Sequence, residues 1–335
     1  MVILTSWIYS KTAKNMKKFI RIWVSRTRHI PPRDFWPTLL HFIKYAFVQA
    51  IHATRRKRGN TDMLSHLNFK RAHYLEKAML CEYERSPDLE TSYHDLKHYL
   101  DSDLGKEDDC YLYLNKLADE YADYRDTFKC FMHKIKHKPR SPDDARLLRR
   151  TIIQRRSLRR FKSTPVPLNI LEKIVEAGSY VPTSCNAQPL HFITLTERDS
   201  LNRVFGAAGG AQDWKDGIPS GIIIATDRRH YKPTEQHPVM FQDIAAATQN
   251  CLLMAEALGL GACWVSLISD SHIKGQDSVY RQLALPDHML IGSAIAIGEP
   301  ENMVCLVPRR PLNRIWHHEK YAHRAAPACA PKTRS

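Results

Sequence analysis

No C-x-x-C pair occurs in this chain of 335 residues, and its eight cysteines stand apart at positions 81, 110, 130, 185, 251, 263, 305 and 329. That spacing argues against a zinc site and for reduced thiols in a cytoplasmic compartment, most of them packing residues. Long apolar runs are also missing. Met1 to Ser10 is too short to span a bilayer, and Phe35 to Ile51 carries His41, Lys44 and Gln49, which favours a buried or interfacial helix over a spanning one. A secretory leader places its charge before its apolar core, whereas Lys11, Lys14, Lys17 and Lys18 follow the first apolar residues, so cleavage is not expected. Acid is scarcest at the start: residues 1–60 hold six Lys and seven Arg against Asp34 alone. Their balance of +12 accounts for most of the formal charge of +15, leaving +3 for residues 61–335. A nearly neutral body argues against a nucleic-acid groove.

What is present begins with that basic arm. Residues 11–28 interleave cations with Phe19, Ile20, Ile22, Trp23 and Val24, a pattern suited to a helix lying on an anionic membrane surface, with an ordinary packed helix as the alternative. Residues 61–137 read as two or three charge-mixed helices, with Leu67, Tyr74, Leu75, Met79 and Leu80 in one and Leu112, Leu114, Leu117, Tyr121 and Tyr124 in another. His94 and His98, and His133 and His137, share helix faces, but neither pair has the glutamate of a zincin, so no metal is expected. Lys138 to Asp144 contains two prolines and reads as a linker in which Ser141 or Asp143 caps the next helix. The expected parts are a basic arm at 1–60, a helical extension at 61–140, a main domain at 141–323 and a tail at 324–335.

The main domain alternates helices at Leu147–Arg155, Leu168–Gly178 and Phe241–Leu258 with strands at His191–Thr196, 221–226 and Ile291–Ile297. Within it, Arg155, Arg156 and Arg159 flank Ser157. Guanidinium forks beside a hydroxyl suit a phosphate monoester, although such clusters also occur as solvated or salt-bridged faces. Twenty-one residues beyond Phe161, Pro182, Thr183, Ser184, Asn186 and Gln188 form a proline-led turn whose hydroxyl and amide groups suit the edge of a flat polar heterocycle. Gly259-Leu260-Gly261 reads equally as a helix C-cap with a tight exit. Cys185 has no His constellation at recognisable spacing.

These motifs together carry a resemblance. Arg155 to Phe161 stands as Arg-Arg-Ser-x-Arg-x-Phe, Pro182 to Pro189 as a proline-hydroxyl turn ending in Asn-x-Gln-Pro, Gln249-Asn250 leads to Gly259-Leu260-Gly261-Ala262-Cys263-Trp264, and Arg309-Arg310-Pro311-Leu312 comes last. In this order they resemble the FMN-dependent nitroreductase-like oxidoreductases over about residues 149–321, with Thr183 in place of the usual Ser and Leu190 in place of a frequent Trp. The resemblance implies an α+β, three-layer fold with a mixed, mainly antiparallel central sheet flanked by helices. It implies a homodimer with FMN as cofactor, NADH or NADPH as electron donor, and a small-molecule electron acceptor such as a nitro compound or quinone.

It also implies roles. Arg155, Arg156, Ser157 and Arg159 surround the FMN phosphate and ribityl chain, and Arg309, with Arg310 beside it, closes from the C-terminal side. Pro182, Thr183, Ser184, Asn186 and Gln188 meet the ribityl or isoalloxazine, and the backbone at Ser266 and Leu267 approaches the ring. No catalytic acid or base is implied, because the flavin reacts. Two alternatives keep the fold: a dedicated flavin-dependent biosynthetic step, such as one on a polysaccharide-related substrate, and a non-catalytic interaction protein held at the membrane. His73 to Ala78 is similar to a His-x-x-Glu-Lys-Gly segment of extended relatives, and Glu76-Lys77 within it also reads as a plain surface pair.

Overall fold

A computed structural model describes residues 61–80, 86–127, 141–231, 236–267, 276–301 and 308–321. The basic arm at 1–60, His133 and His137, the first part of the linker and the tail fall outside the described residues.

Among the described residues the extension forms three long helices, α1 (Thr61–Leu80), α2 (Pro87–Asp101) and α3 (Tyr111–Thr127), with a single helical turn at Asp103–Lys106 between the last two. The Ser86 hydroxyl accepts from the Leu89 amide ahead of Pro87, starting α2 where the proline's missing N–H costs nothing. Ala72, Leu75, Met79, Leu96, Leu100, Leu114 and Tyr121 close a small core of their own. Of the apolar residues expected to cluster, Tyr74 and Leu80 on α1 and Leu112 on α3 stay exposed. Glu76 lies 3.8 Å from His73 Nδ1, so the nearby histidine is one of its partners.

The main domain opens on α4 (Pro142–Gln154), where the Ser141 hydroxyl accepts from the Asp144 amide and Asp144 returns a bond to the Ser141 amide, both at 3.1 Å. There follow α5 (Leu168–Ser179), β1 (Leu190–Leu195), α6 (Arg198–Ala207), β2 (Ser220–Asp227), α7 (Gln236–Ala257), β3 (Gly261–Val265), α8 (Gln276–Gln282) and β4 (Met289–Gly298). The four strands lie in the order β1-β2-β4-β3, every neighbouring pair antiparallel. The one parallel pairing among the described residues is an isolated bridge from Ser157 to Ala262.

Both central strands are buried throughout, so their residues serve two cores, one on each face. Ile222, Ile224, Ile295 and Ile297 face a core shared with Ile244, Cys251 and Leu252 of α7 and Leu171 and Ile174 of α5. Ile223, Ala225, Ala294 and Ala296 face a second core with Leu201, Val204 and Phe205 of α6. A bulge opposite Ile224 and Ala225 falls at Gly292, and a Cβ there would stand 2.4 Å from Ile244 Cδ1. The glycine therefore lets α7 lie close on the sheet. α7 ends in a Schellman cap: Gly259, at φ 78, donates to Glu256 and Leu260 donates to Ala255. No helix among the described residues is long and apolar enough to cross a membrane. The architecture is α+β, a helix-flanked antiparallel sheet.

Candidate functional site

The arginine segment leaves α4 and runs along the open end of the sheet. The Leu158 amide donates to the Ala262 carbonyl at 3.1 Å, and the Lys162 amide donates to the Glu299 carbonyl at 2.9 Å. Glu301 returns a bond to the Arg160 carbonyl, and the Lys162 ammonium pairs with the Glu299 carboxylate. The segment is thus pinned to the start of β3 and the end of β4, with Phe161 buried between them.

This placement gathers Arg155, Ser157 and Arg159 about Cys263. Burial pushes that thiol above its ordinary range, while Arg159, Arg155 and a hydrogen bond with Ser157 act in the opposite sense. Arg156 behaves differently. Its Nη1 donates to the Ile153 and Arg155 carbonyls, closing the end of α4, and its Nε is buried without a hydrogen-bond partner. None of Arg155, Arg156, Arg159 or Arg160 has an acidic partner among the described residues. The segment is therefore not a salt-bridged face, and its guanidinium donors are left for solvent or an external anion.

The turn at 182–189 has an uncommon backbone. Cys185, Asn186 and Gln188 take φ values of 52°, 49° and 47°, left-handed conformations that cost non-glycine residues of order 1–3 kcal/mol each. Local bonds compensate. The Gln188 amide donates to Thr183 Oγ1 at 2.9 Å, the Asn186 amide to the Thr183 carbonyl at 2.9 Å, and Gln188 Nε2 to Asn186 Oδ1 at 3.3 Å. Pro182 and Gln188 face solvent, with Thr183, Ser184 and Asn186 half-buried.

A buried network that no local motif announces holds the turn from beneath. Asp243, on α7, accepts from the Ser184 amide at 3.1 Å and from the Tyr231 hydroxyl at 2.8 Å. The Tyr231 oxygen stands 3.3 Å from Thr226 Oγ1, which donates to the Pro189 carbonyl at 3.1 Å, and the Asp227 amide donates to the same carbonyl at 3.0 Å. Burial raises the Asp243 carboxyl above its ordinary range, against the bonds from Tyr231 and Ser184. Beside it, Asp227 pairs with Arg229 at 2.5 Å and lies 3.4 Å from His230 Nε2. Although burial opposes its charge, the nearby His230 imidazole and the hydrogen bonds from Arg229 hold the Asp227 carboxyl well below the carboxylate range.

The remaining expected residues stand elsewhere. Ser266 is exposed just beyond β3, whereas the Leu267 side chain is buried in the α6-side core. Arg309 and Arg310 are exposed in the C-terminal segment and make no hydrogen bond or ion pair with the arginine segment. No hydrogen bond joins the arginine segment to the 182–189 turn. Trp214 packs against the α6-side core and donates to the Gly210 carbonyl at 2.9 Å, while Trp264 is partly exposed.

The chain is similar to several known proteins. The family model described as "Nitroreductase family" matches residues 152–208 and 203–299. A Methanothermobacter thermautotrophicus protein named as an NADH dehydrogenase/NAD(P)H nitroreductase is 31% identical over 148 residues, 44% of this chain and 73% of that protein. The Bacillus subtilis protein named FMN reductase (NADPH) is 25% identical over 186 residues, 51% of this chain and 73% of that one. Among solved structures, a nitroreductase in complex with FMN from Desulfovibrio desulfuricans is 28% identical, with a TM-score of 0.44, covering 55% of this chain and 100% of the other. The matched span takes in the arginine segment, the strained turn and all four strands, and the chain belongs to the Nitroreductase family.

Proposed function

We propose that this protein is an FMN-dependent oxidoreductase that draws on NADH or NADPH and serves a small-molecule acceptor, a nitro compound, quinone or other conjugated molecule. The observation that carries this reading is the arginine segment: basic, pinned to the sheet and free of acidic partners among the described residues. Relatives named FMN reductase and NADPH-flavin oxidoreductase support it. FMN held there would supply the redox chemistry between nicotinamide and acceptor.

The protein's part is to bind and orient. Arg155, Arg156, Arg159 and Ser157 hold the phosphate and ribityl chain, and the buried, unpartnered Nε of Arg156 fits such an anion. Pro182, Thr183, Ser184, Asn186 and Gln188 meet the ribityl chain and ring edge, and the backbone at Ser266 and Leu267 faces the ring. Arg309 and Arg310, exposed in the single chain, close on the phosphate once the C-terminal segment is placed in a homodimer. The dimer is supported by α4, which buries none of its residues yet presents Leu147, Leu148, Ile152 and Ile153, and by exposed Leu312, Ile315 and Trp316. The basic arm at 1–60 adds a peripheral contact with an anionic membrane surface on the cytoplasmic side, in a chain divided at 1–60, 61–140, 141–323 and 324–335.

The deciding experiment is the anaerobic absorbance spectrum before and after each nicotinamide. The expected result is a yellow protein bleached by NADH or NADPH. A colourless protein that gains no thermal stability from added FMN overturns the flavin assignment, and a yellow protein left unbleached by both donors overturns the reductase assignment. Equal flotation on anionic vesicles of the full chain and of one lacking residues 1–60 overturns the membrane contact.

A further inference from the structure

The strained turn is gripped from two sides, and one of them is the N-terminal extension. On α1, Lys70 and Tyr74 are four residues apart and therefore share a face of the helix. The Tyr74 hydroxyl lies 3.6 Å from Cys185 Sγ, at the first of the three left-handed residues. One turn earlier the Lys70 ammonium donates to the His230 carbonyl, the peptide that leads into Tyr231 and so into the network under the turn. Ala72, Leu75 and Met79 of the same helix are buried in the extension's own core. Their burial gives Lys70 and Tyr74 a rigid mount.

The other grip comes from the sheet and α7, through Asp243 at Ser184 and through Thr226 and Asp227 at Pro189. A backbone with three left-handed non-glycine residues persists only where its surroundings over-determine it. Here the surroundings include a helix more than 100 residues away in sequence. The Lys70 charge also favours the ionised form of Asp243, against the burial that disfavours it, and an ionised carboxylate is the stronger acceptor for the Ser184 amide.

We propose that α1 is a working part of the flavin site, with Lys70 and Tyr74 as positioning residues that hold the Thr183–Gln188 turn in its ligand-binding conformation. This rests on the FMN reading above. The extension is then required for tight cofactor binding in this chain, and its small helical core exists to carry those two side chains.

The test uses the full chain with Lys70→Met combined with Tyr74→Phe, and with Lys70→Arg and Tyr74→Phe alone. Three quantities are read: amide hydrogen exchange of Ser184, Cys185, Asn186 and Gln188 without flavin, the FMN dissociation constant, and the visible circular dichroism of bound flavin. The double variant is expected to speed exchange at the turn, to weaken FMN about tenfold, a loss of roughly 1.4 kcal/mol, and to change the dichroism. Lys70→Arg is expected to restore native behaviour. Should the double variant fail to fold, Tyr74→Phe, which loses one hydroxyl, is expected to give a smaller change of the same kind. Native exchange, affinity and dichroism in the double variant, or in Tyr74→Phe where only that variant folds, overturn the inference while leaving the FMN reading intact. A native protein that binds no FMN overturns the flavin reading and with it this role, and the exchange measurement then reports whether α1 holds the turn at all.

Discussion

Gly261 and Gly298 face each other across the β3–β4 pair, and the space their missing side chains leave is filled by Leu158 and Phe161 of the arginine segment together with Pro219. A Cβ on Gly261 would stand 2.7 Å from Leu158 Cδ1, and one on Gly298 would stand 2.9 Å from Phe161 Cβ. The glycine pair is therefore what lets the cationic segment lie flat on the sheet. Gly261→Ala is expected to destabilise the protein by about 1–3 kcal/mol through overpacking and to weaken FMN binding with it. Gly209→Ala, where an added Cβ meets nothing within 4 Å, is expected to leave both unchanged. Thermal melts and flavin titrations of the two variants check this.

Arg155→Ala and Arg159→Ala each remove a guanidinium that has no acidic partner among the described residues. Stability without flavin is expected to be nearly unchanged, within about 0.5 kcal/mol. FMN affinity is expected to fall by about 1.5–3 kcal/mol per arginine, the range for hydrogen bonds to charged groups. Riboflavin, which has no phosphate, serves as the control ligand. Its binding should fall less than that of FMN, and a variant that loses riboflavin and FMN equally would remove the phosphate from the contacts of these arginines.

Asp243→Ala leaves the Ser184 amide and the Tyr231 hydroxyl without their acceptor. The expected loss is about 1–3 kcal/mol for each buried donor left unsatisfied. Asp243→Asn keeps one acceptor oxygen and should lose less. Urea melts of both variants measure the difference, and equal losses would show that the carboxylate oxygens are not what holds the turn.

Acid should destabilise the fold in two stages. Burial lowers both His230 and His288 from the ordinary 6.5, so the unfolded chain takes up protons first as the pH falls. Stability is then lost below about pH 6.5. Asp227, held below its ordinary 3.8, adds a second loss below that value. Asp243, raised by burial, has the opposite sign: its contribution is present below 3.8 and fades as the pH rises towards its folded value. The test is the urea midpoint at pH 8 and pH 5.5. His230→Gln should flatten part of the difference, and an unchanged slope would remove His230 from this account.

The exposed apolar face of α4 predicts self-association. Leu148 is 57% exposed and Ile152 50% exposed, on a helix that is well capped but buries nothing. Leu148→Glu with Ile152→Glu is expected to shift sedimentation from dimer to monomer while leaving the fold of each chain intact. A native chain that sediments as a monomer would overturn the dimer.

Four main-domain elements and the end of α7 were legible within two residues, because β1, β2, β4, α5 and the body of α7 have strong apolar patterns of the length their class requires. The start of α7 was not, since Pro238 lies in its first turns, where proline is tolerated at low cost. β3 was hidden too. Its five residues begin with Gly261 at the exit of a helix cap, and only pairing with β4 makes them a strand. The short, polar α6 has little to announce it beyond the core that Leu201, Val204 and Phe205 join.

By itself the sequence determined the family resemblance, because the arginines of 155–159 and the hydroxyl and amide groups of 183–188 stand in contiguous stretches that need no folding to be read together. Only the tertiary structure decided what holds those groups in place. Asp243, Tyr231, Thr226 and Lys70 come from α7, the segment after β2, β2 itself and α1, and the cost of burying polar groups is met by partners that chain folding, not local pattern, brings within hydrogen-bond reach.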